Sequence, residues 1–127
     1  MADWLSQEWL EDLVRLAASQ PERPEVSMTV LFVITGGPDG EVRYSWVVEH
    51  GRIVKATLGD LPGTDLTMTL VWDDARHLSE GGLDLGVAFM QGRVKVAGST
   101  ARLFDLLPAT ASASYRRMAL ELAALTR

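Results

Sequence analysis

The 127-residue sequence contains no cysteine. This absence excludes disulfide scaffolds, thiol catalysis and thiolate metal sites, and it is typical of proteins from a reducing compartment. Residues 1–9 are acidic and have neither the basic start nor the apolar run of a signal peptide. We therefore expect a cytoplasmic protein.

Clustered positive charge is also missing. Twelve Lys and Arg residues stand against seventeen Asp and Glu residues, the net charge is −5, and the basic residues are scattered. Such a chain repels nucleic acid and anionic membrane surfaces, so neither is expected as a partner. The longest uncharged stretch, residues 26–38, is interrupted by Ser, Thr and Gly residues, and no segment is expected to insert stably into a bilayer.

Groups that could perform catalysis are few. His50 lies beside Gly51 in a predicted turn, and His77 follows Asp73 and Asp74 at a spacing that would bring the three side chains together on a helix. Asp73, Asp74 and His77 could bind a metal, but no matching ligand pair occurs elsewhere, and a solvated helix face explains these three residues as well. Phosphate-binding loops and serine elbows are absent. We predict a non-enzyme without catalytic residues, metal or cofactor, with an enzyme built on His77 as an alternative.

The first part of the chain has the hydrophobic pattern of one helix followed by four strands. Apolar residues recur at helical spacing after Ser6, a good N-cap residue, and this helix should end by Pro21. Between residues 26 and 71 the period changes to two, which predicts four strands. Turns are predicted at residues 36–40 and 50–51.

The second part predicts short helices, one strand and two longer helices. Asp73 and Asp84 are candidate N-caps of the short helices, and a fifth strand is expected at residues 93–97. Thr100 could cap a helix that Pro108 stops. A final helix should begin near residue 112 or 114 and run to the C-terminus.

Each predicted strand has one strongly apolar face and one mixed face. This pattern predicts an α+β fold with a five-stranded, largely antiparallel sheet and helices on one side only. In the third strand, Val54, Ala56 and Leu58 would share the apolar face. Four aliphatic residues interrupt the opposite face, namely Leu31, Val33, Val47 and Val71. They are either scattered exposed residues or a contact through which the protein homodimerises.

The helices late in the chain are more apolar than one core contact requires. Residues 86–92 are apolar on nearly every side, and the last helix carries a wide apolar stripe that includes Met118. Plain core packing would explain both. Alternatively, the helices and the sheet do not close fully and leave an apolar pocket, which Met68 and Met90 would suit because methionine adapts to ligands of variable shape.

One late segment has a distinctive sequence. Residues 88–98 read Ala-Phe-Met-Gln-Gly-Arg-Val-Lys-Val-Ala-Gly, and they closely resemble a stretch of the type-2 sterol carrier protein family, also called the sterol-transfer domain. Residues 65–70, Asp-Leu-Thr-Met-Thr-Leu, and the hairpin at residues 33–40 also resemble the family. The resemblance covers nearly the whole chain.

The resemblance implies a single domain, residues 1–127. In this domain a C-terminal helix helps to cover a hydrophobic tunnel against a mixed sheet, in which the fourth strand follows a crossover. It also implies non-catalytic binding and transport of fatty acids, fatty acyl-CoA, phospholipids or sterols. The C-terminal residues Leu125-Thr-Arg127 differ from the peroxisomal targeting signal of many animal members.

The lipid hypothesis places one acyl chain between the apolar sheet face and the helices. The candidate lining residues are Phe32, Trp46, Met68, Leu70, Phe89, Met90, Met118, Leu122 and Leu125. Gln91 is a candidate hydrogen-bonding partner for a polar head group at the mouth, with an ordinary helix C-terminal contact as the alternative. The second functional hypothesis is a protein-interaction or accessory domain with a solid core, which homodimerises through the four aliphatic residues of the outer sheet face.

Overall fold

The computed structural model describes all 127 residues, Met1–Arg127. One five-stranded sheet has the strand order β3-β2-β1-β4-β5. The strands are β1 (Met28–Gly37), β2 (Gly40–Glu49), β3 (Arg52–Leu58), β4 (Leu66–Val71) and β5 (Lys95–Gly98). The helices are α1 (Gln7–Ala17), α2 (Trp72–Ser79), α3 (Leu85–Met90), α4 (Thr100–Thr110) and α5 (Ala113–Ala124). Strands β1 and β4 are parallel and the other pairs antiparallel, which confirms the predicted mixed α+β sheet.

The inner face of the sheet is apolar because alternate residues of neighbouring strands are in register. On the central strand β1, Val30, Phe32 and Ile34 belong to this face. The residues beside them on β2 and β4 are Trp46, Tyr44, Val42, Leu66, Met68 and Leu70. Helical side chains complete one continuous buried cluster with them. No helix is both long enough and apolar enough to cross a membrane.

The outer face of the sheet differs from the sequence-based expectation. Leu31 and Val33 are only 5% and 7% exposed, because they lie in the middle of the sheet with β2 on one side and β4 on the other. Val47 is half-buried, and Val71 is 52% exposed. The interpretation as scattered exposed residues is therefore wrong for Leu31 and Val33. A homodimer contact through the four residues stays a prediction.

Strand β3 contains an irregularity that changes which residues face the core. Val48 pairs with Ile53, whereas the preceding Val47 pairs with Lys55, so Val54 is an extra residue in the ladder. Ile53 is buried and Val54 is exposed. The predicted inward position of Val54 is thus corrected to Ile53.

The free edge of β3 is covered by α1. The side-chain amide of Gln7 donates to the carbonyl of Ala56, and its oxygen accepts from the backbone N–H of Leu58, both at 3.1 Å. Gln7 therefore makes the two hydrogen bonds that a neighbouring strand would otherwise make. Such protection prevents an exposed edge from pairing with another chain.

Several predicted helix boundaries are confirmed. The Ser6 hydroxyl accepts from the N–H of Trp9 at the start of α1, and the Asp84 carboxylate accepts from Val87 at the start of α3. Ser112, one of two predicted starts, caps α5. Each side chain satisfies a helix N–H that has no partner within the helix.

Other boundaries are corrected. Asp73 lies inside the first turn of α2 and caps nothing, because α2 follows β4 directly. Ser99, rather than Thr100, caps α4 by accepting from the N–H of Arg102. Pro108 lies inside α4, whose last turn is retained with Ala109 buried in it.

Candidate functional site

A cavity of about 410 Å³ lies between the inner face of the sheet and the helices. Four sheet residues form its floor: Phe32 of β1, Tyr44 and Trp46 of β2, and Leu70 of β4. Fifteen of the 21 lining residues are hydrophobic. A space of this size and character is within the usual range for small-molecule sites in proteins.

The floor is a cluster of packed aromatic rings. The ring of Phe32 is stacked on that of Tyr44, with centroids 4.8 Å apart, and contacts Trp46 edge-on at 4.6 Å. Trp9 of α1 meets Tyr44 edge-on at 5.9 Å. Stacked and edge-to-face contacts of this kind hold aromatic side chains in fixed orientations, so the floor is a preformed apolar surface.

The side walls of the cavity come from α1, α2 and the segment between α2 and α3. The contributing residues are Trp9, Leu13, Ala75, Leu78, Ser79, Gly81, Gly82, Leu83, Asp84 and Leu85. Because Gly82 is exposed, the cavity reaches the protein surface at this segment.

The roof is the helix α5 with the residues that precede it. It contributes Thr110, Ala111, Tyr115, Arg116, Met118, Ala119 and Leu122. Beyond α5, Thr126 forms a bridge with Ala2, and the N–H of Arg127 donates to the Ala2 carbonyl at 2.8 Å. The two chain ends therefore fasten the far end of the roof helix.

Most polar groups of the lining are already bonded within the protein. The Ser79 hydroxyl accepts from the Trp4 indole and donates to the Ala75 carbonyl. The Thr110 hydroxyl donates to the Leu107 carbonyl. The Asp84 carboxylate caps α3.

Arg116 and the hydroxyls of Tyr44 and Tyr115 have no partner in the protein. Arg116 forms none of the ion pairs of the molecule. The backbone N–H of Tyr115 donates a hydrogen bond to Ser112 Oγ, whereas the Tyr115 hydroxyl makes no hydrogen bond. The only fully enclosed side-chain polar atom without a partner is Trp46 Nε1, so both tyrosine hydroxyls remain accessible.

Burial sets the protonation state of both tyrosines. Desolvation raises the pKa of Tyr44 far above its ordinary value near 10, and the proximity of Tyr115 raises it further. Desolvation also raises the pKa of Tyr115. Both phenols are therefore neutral at physiological pH and can donate hydrogen bonds.

An empty, dry cavity would be costly. At about 24 cal/mol per Å³, 410 Å³ of enclosed, unfilled apolar space would cost on the order of 10 kcal/mol, and water that enters from the open side lowers this cost. This is comparable with the whole net stability of an ordinary domain, about 5–15 kcal/mol. The free energy of unfolding should therefore rise when an apolar molecule fills the space.

No family model matches the sequence, and no curated protein matches it. Solved structures do match. A conserved hypothetical protein of Thermus thermophilus, described as a candidate sterol carrier protein, is 18% identical, with a TM-score of 0.76 over 96% of this chain and 91% of that one. A crystal structure of sterol carrier protein 2, also 18% identical, gives 0.72 over 94% and 98%. Palmitated SCP2L2 of Aedes aegypti, 21% identical, gives 0.65 over 84% and 96%.

The chain has the sterol carrier protein 2 fold. The match extends over most of both chains in each comparison, so the whole sheet and its helices share this architecture. The fold inferred from residues 88–98 and the other resembling segments is confirmed.

Within the sterol carrier protein 2 fold, five of the sequence-predicted site residues line the cavity. They are Phe32, Trp46, Leu70, Met118 and Leu122. The hydrophobic periodicity of the strands and of α5 thus predicted correctly which face these residues occupy, although the floor and roof residues lie far apart in the sequence.

The structure places the other five predicted residues outside the cavity. Met68 is fully buried in the core, and Phe89 packs at its margin. Met90 is 83% exposed, and Gln91 and Leu125 are exposed at the C-terminal ends of α3 and α5. The six-residue α3 turns Leu85 and Ala88 inward, which leaves Met90 on its outer side.

Sequence reasoning missed several lining residues. Tyr44 has the same strand parity as Trp46, and this signal would have found it. Trp9 and Leu13 lie on the apolar stripe of α1. Tyr115 and Ala119 could not have been assigned in this way, because α5 has apolar residues on several sides.

The metal hypothesis for α2 is not supported by the side-chain arrangement. No group of three or more His, Asp or Glu side chains is placed to hold an ion. Asp74 lies 3.9 Å from the guanidinium of Arg93, and His77 is exposed. Asp73 and His77 therefore belong to a solvated helix face, whereas the Asp74 side chain is only 18% exposed.

Proposed function

We propose that this chain binds the apolar part of a lipid in the cavity and carries it without chemical change. The ligand would be a fatty acid, a fatty acyl-CoA or another lipid that contributes one acyl chain. The observation that carries this proposal is the 410 Å³ apolar space above the aromatic floor of Phe32, Tyr44 and Trp46.

Energetics support reversible binding. About fourteen methylenes, at ~0.8 kcal/mol each, contribute roughly 11 kcal/mol on burial. The loss of translational and rotational freedom takes up several kcal/mol of this gain, so a dissociation constant near micromolar or weaker is expected. An affinity of this order suits a carrier that must release its ligand.

The comparisons support the same proposal at the level of fold. The matched proteins include sterol carrier protein 2 and the palmitated Aedes protein. We propose that residues 1–127 act as one lipid-binding domain and that this domain is cytoplasmic. We also propose that no nucleic acid is among its partners, in accordance with its net charge of −5.

The proposal is tested by filling the cavity. Ala119→Trp places a large side chain in the roof, and Ala75→Phe places one in a side wall, since both alanines line the space. Native mass spectrometry after addition of palmitate, and displacement of a fluorescent fatty acid, should show binding to the wild type and loss of at least tenfold in affinity in both variants.

Ala124→Trp is the matched control. Ala124 is an exposed residue of the same helix and does not line the cavity, so this variant should bind as the wild type does. Circular dichroism would establish that all variants are folded. Absence of any palmitate or fluorescent-lipid complex with the wild type would overturn the proposal, as would unchanged affinity in folded Ala119→Trp and Ala75→Phe.

A further inference from the structure

We propose that the cavity selects lipids with a carboxylate head group, which accepts hydrogen bonds from the hydroxyls of Tyr44 and Tyr115 and pairs with the guanidinium of Arg116. This inference rests on the proposed function and makes it specific. It names the end of the ligand that the protein recognises and the three side chains that recognise it.

Tyr44 supplies an unpartnered donor in the floor. Its side chain is 5% exposed, and its hydroxyl has no hydrogen-bond partner. Its ring is held between Phe32 and Trp9, so the hydroxyl cannot easily turn away to another partner. The hydroxyl is accessible from the cavity, so a ligand oxygen could accept its hydrogen bond without displacing a partner within the protein.

Tyr115 and Arg116 supply the matching groups in the roof. They are consecutive residues in the first turns of α5, and both line the cavity. Tyr115 is close enough to Tyr44 for the charge of one phenolate to affect the pKa of the other phenol. Both hydroxyls therefore open onto the same space, which Arg116, an exposed residue of the same helix turn as Tyr115, also lines.

Charge decides the class of head group. Asp84 is the other charged residue of the lining, and its carboxylate already accepts the N–H of Val87. Arg116 is the one lining cation, and it has no acidic partner. Two neutral donors and a single unpaired guanidinium are complementary to a singly charged anion with two oxygen acceptors, such as a carboxylate.

The test compares palmitate with methyl palmitate, which has the same chain and no charge. In Tyr44→Phe and Tyr115→Phe, we expect palmitate to bind about tenfold more weakly, because each loses a hydrogen bond to a charged oxygen. In Arg116→Gln, we expect a loss of about fivefold, since this guanidinium is partly in solvent. The affinity for methyl palmitate should change less than twofold in Arg116→Gln.

Arg117→Gln is the control for charge. Arg117 is exposed on the same helix and does not line the cavity, so its loss should leave both affinities unchanged. Unchanged palmitate binding in the three variants would overturn the head-group inference while leaving the proposed function intact. Equal losses for palmitate and ester in Arg116→Gln would also overturn it. A wild type that binds neither molecule contradicts the proposed function itself.

Discussion

The rings of Phe32 and Tyr44 are nearly parallel, with centroids 4.8 Å apart and 17° between their planes. Trp46 packs against the same Phe32 ring at an angle of 60°. Phe32 lies on the central strand, and the other two residues lie on β2. Phe32 therefore holds both aromatic neighbours in the cavity floor.

Removal of this central ring should destabilise the protein. Phe32→Ala is expected to lower the free energy of unfolding by about 3–5 kcal/mol, because the loss of a buried ring adds to an existing cavity. Urea denaturation followed by circular dichroism measures this change. Phe104→Ala is the control, since Phe104 is 61% exposed on α4 and should cost less than about 1 kcal/mol. Equal effects of the two substitutions would contradict a packed aromatic floor.

Both tyrosines of the protein should resist ionisation in the folded state. The sequence has only two, Tyr44 and Tyr115, and burial raises the pKa of each. Tyrosinate absorbance in the ultraviolet should therefore not develop near pH 10 while the protein is folded. It should appear at higher pH, together with the loss of circular dichroism. A titration near pH 10 with native circular dichroism would contradict this.

The same shifts determine how stability depends on pH. Because the pKa of each phenol is higher in the folded chain, its contribution to the free energy of unfolding is complete below pH 10, where the folded and the unfolded chain both keep the phenolic proton. Above pH 10 the unfolded chain loses protons that the folded chain retains, so the free energy of unfolding falls. Urea denaturation at pH 8 and pH 11 should give a lower midpoint at pH 11. In Tyr44→Phe this dependence should be weaker.

Strand periodicity predicted the cavity floor better than helix composition predicted the roof. The inward positions of Phe32, Trp46 and Leu70 follow from a period of two, which assigns each residue to one of two faces. Val54 was misplaced because a β-bulge adds a residue that no hydrophobic pattern reveals. Met90 was misplaced because a short, wholly apolar helix does not indicate which side is buried.

The sequence also could not decide between two neighbouring N-cap candidates at the start of α4. Ser99 and Thr100 are both good N-cap residues, and only the backbone conformation decides between them. Ser99 is extended and accepts the N–H of Arg102 at 3.2 Å, whereas Thr100 is the first residue of the helix.

This choice can be measured directly. Ser99→Ala should lower the free energy of unfolding by about 1 kcal/mol, because an N–H of the first turn loses its partner. Thr100→Ala should change it by less than about 0.5 kcal/mol, since Thr100 is exposed and its hydroxyl caps nothing. Thermal denaturation of the two variants compares them. A larger effect at Thr100 would favour Thr100 as the cap after all.

Gly98 should be the glycine least tolerant of substitution among those that lie at strand ends. Its φ is 102°, and an added Cβ would clash with the backbone carbonyl oxygen of Asp65. That carbonyl is fixed, because it accepts the N–H of Ser99 while the Asp65 side chain accepts the N–H of Thr29. Neither group can move without breaking the junction of β1, β4 and α4.

We therefore expect Gly98→Ala to lower the free energy of unfolding by roughly 3 kcal/mol or more, from backbone strain and the clash together. Gly36→Ala is the matched control. Gly36 also has a positive φ, 77°, but no atom lies within 4 Å of the position that an added Cβ would take, so strain alone should cost about 1–2 kcal/mol. Urea denaturation of both variants gives the difference. Equal losses would mean that Asp65 yields to the new methyl group, and that the junction is less rigid than its hydrogen bonds indicate.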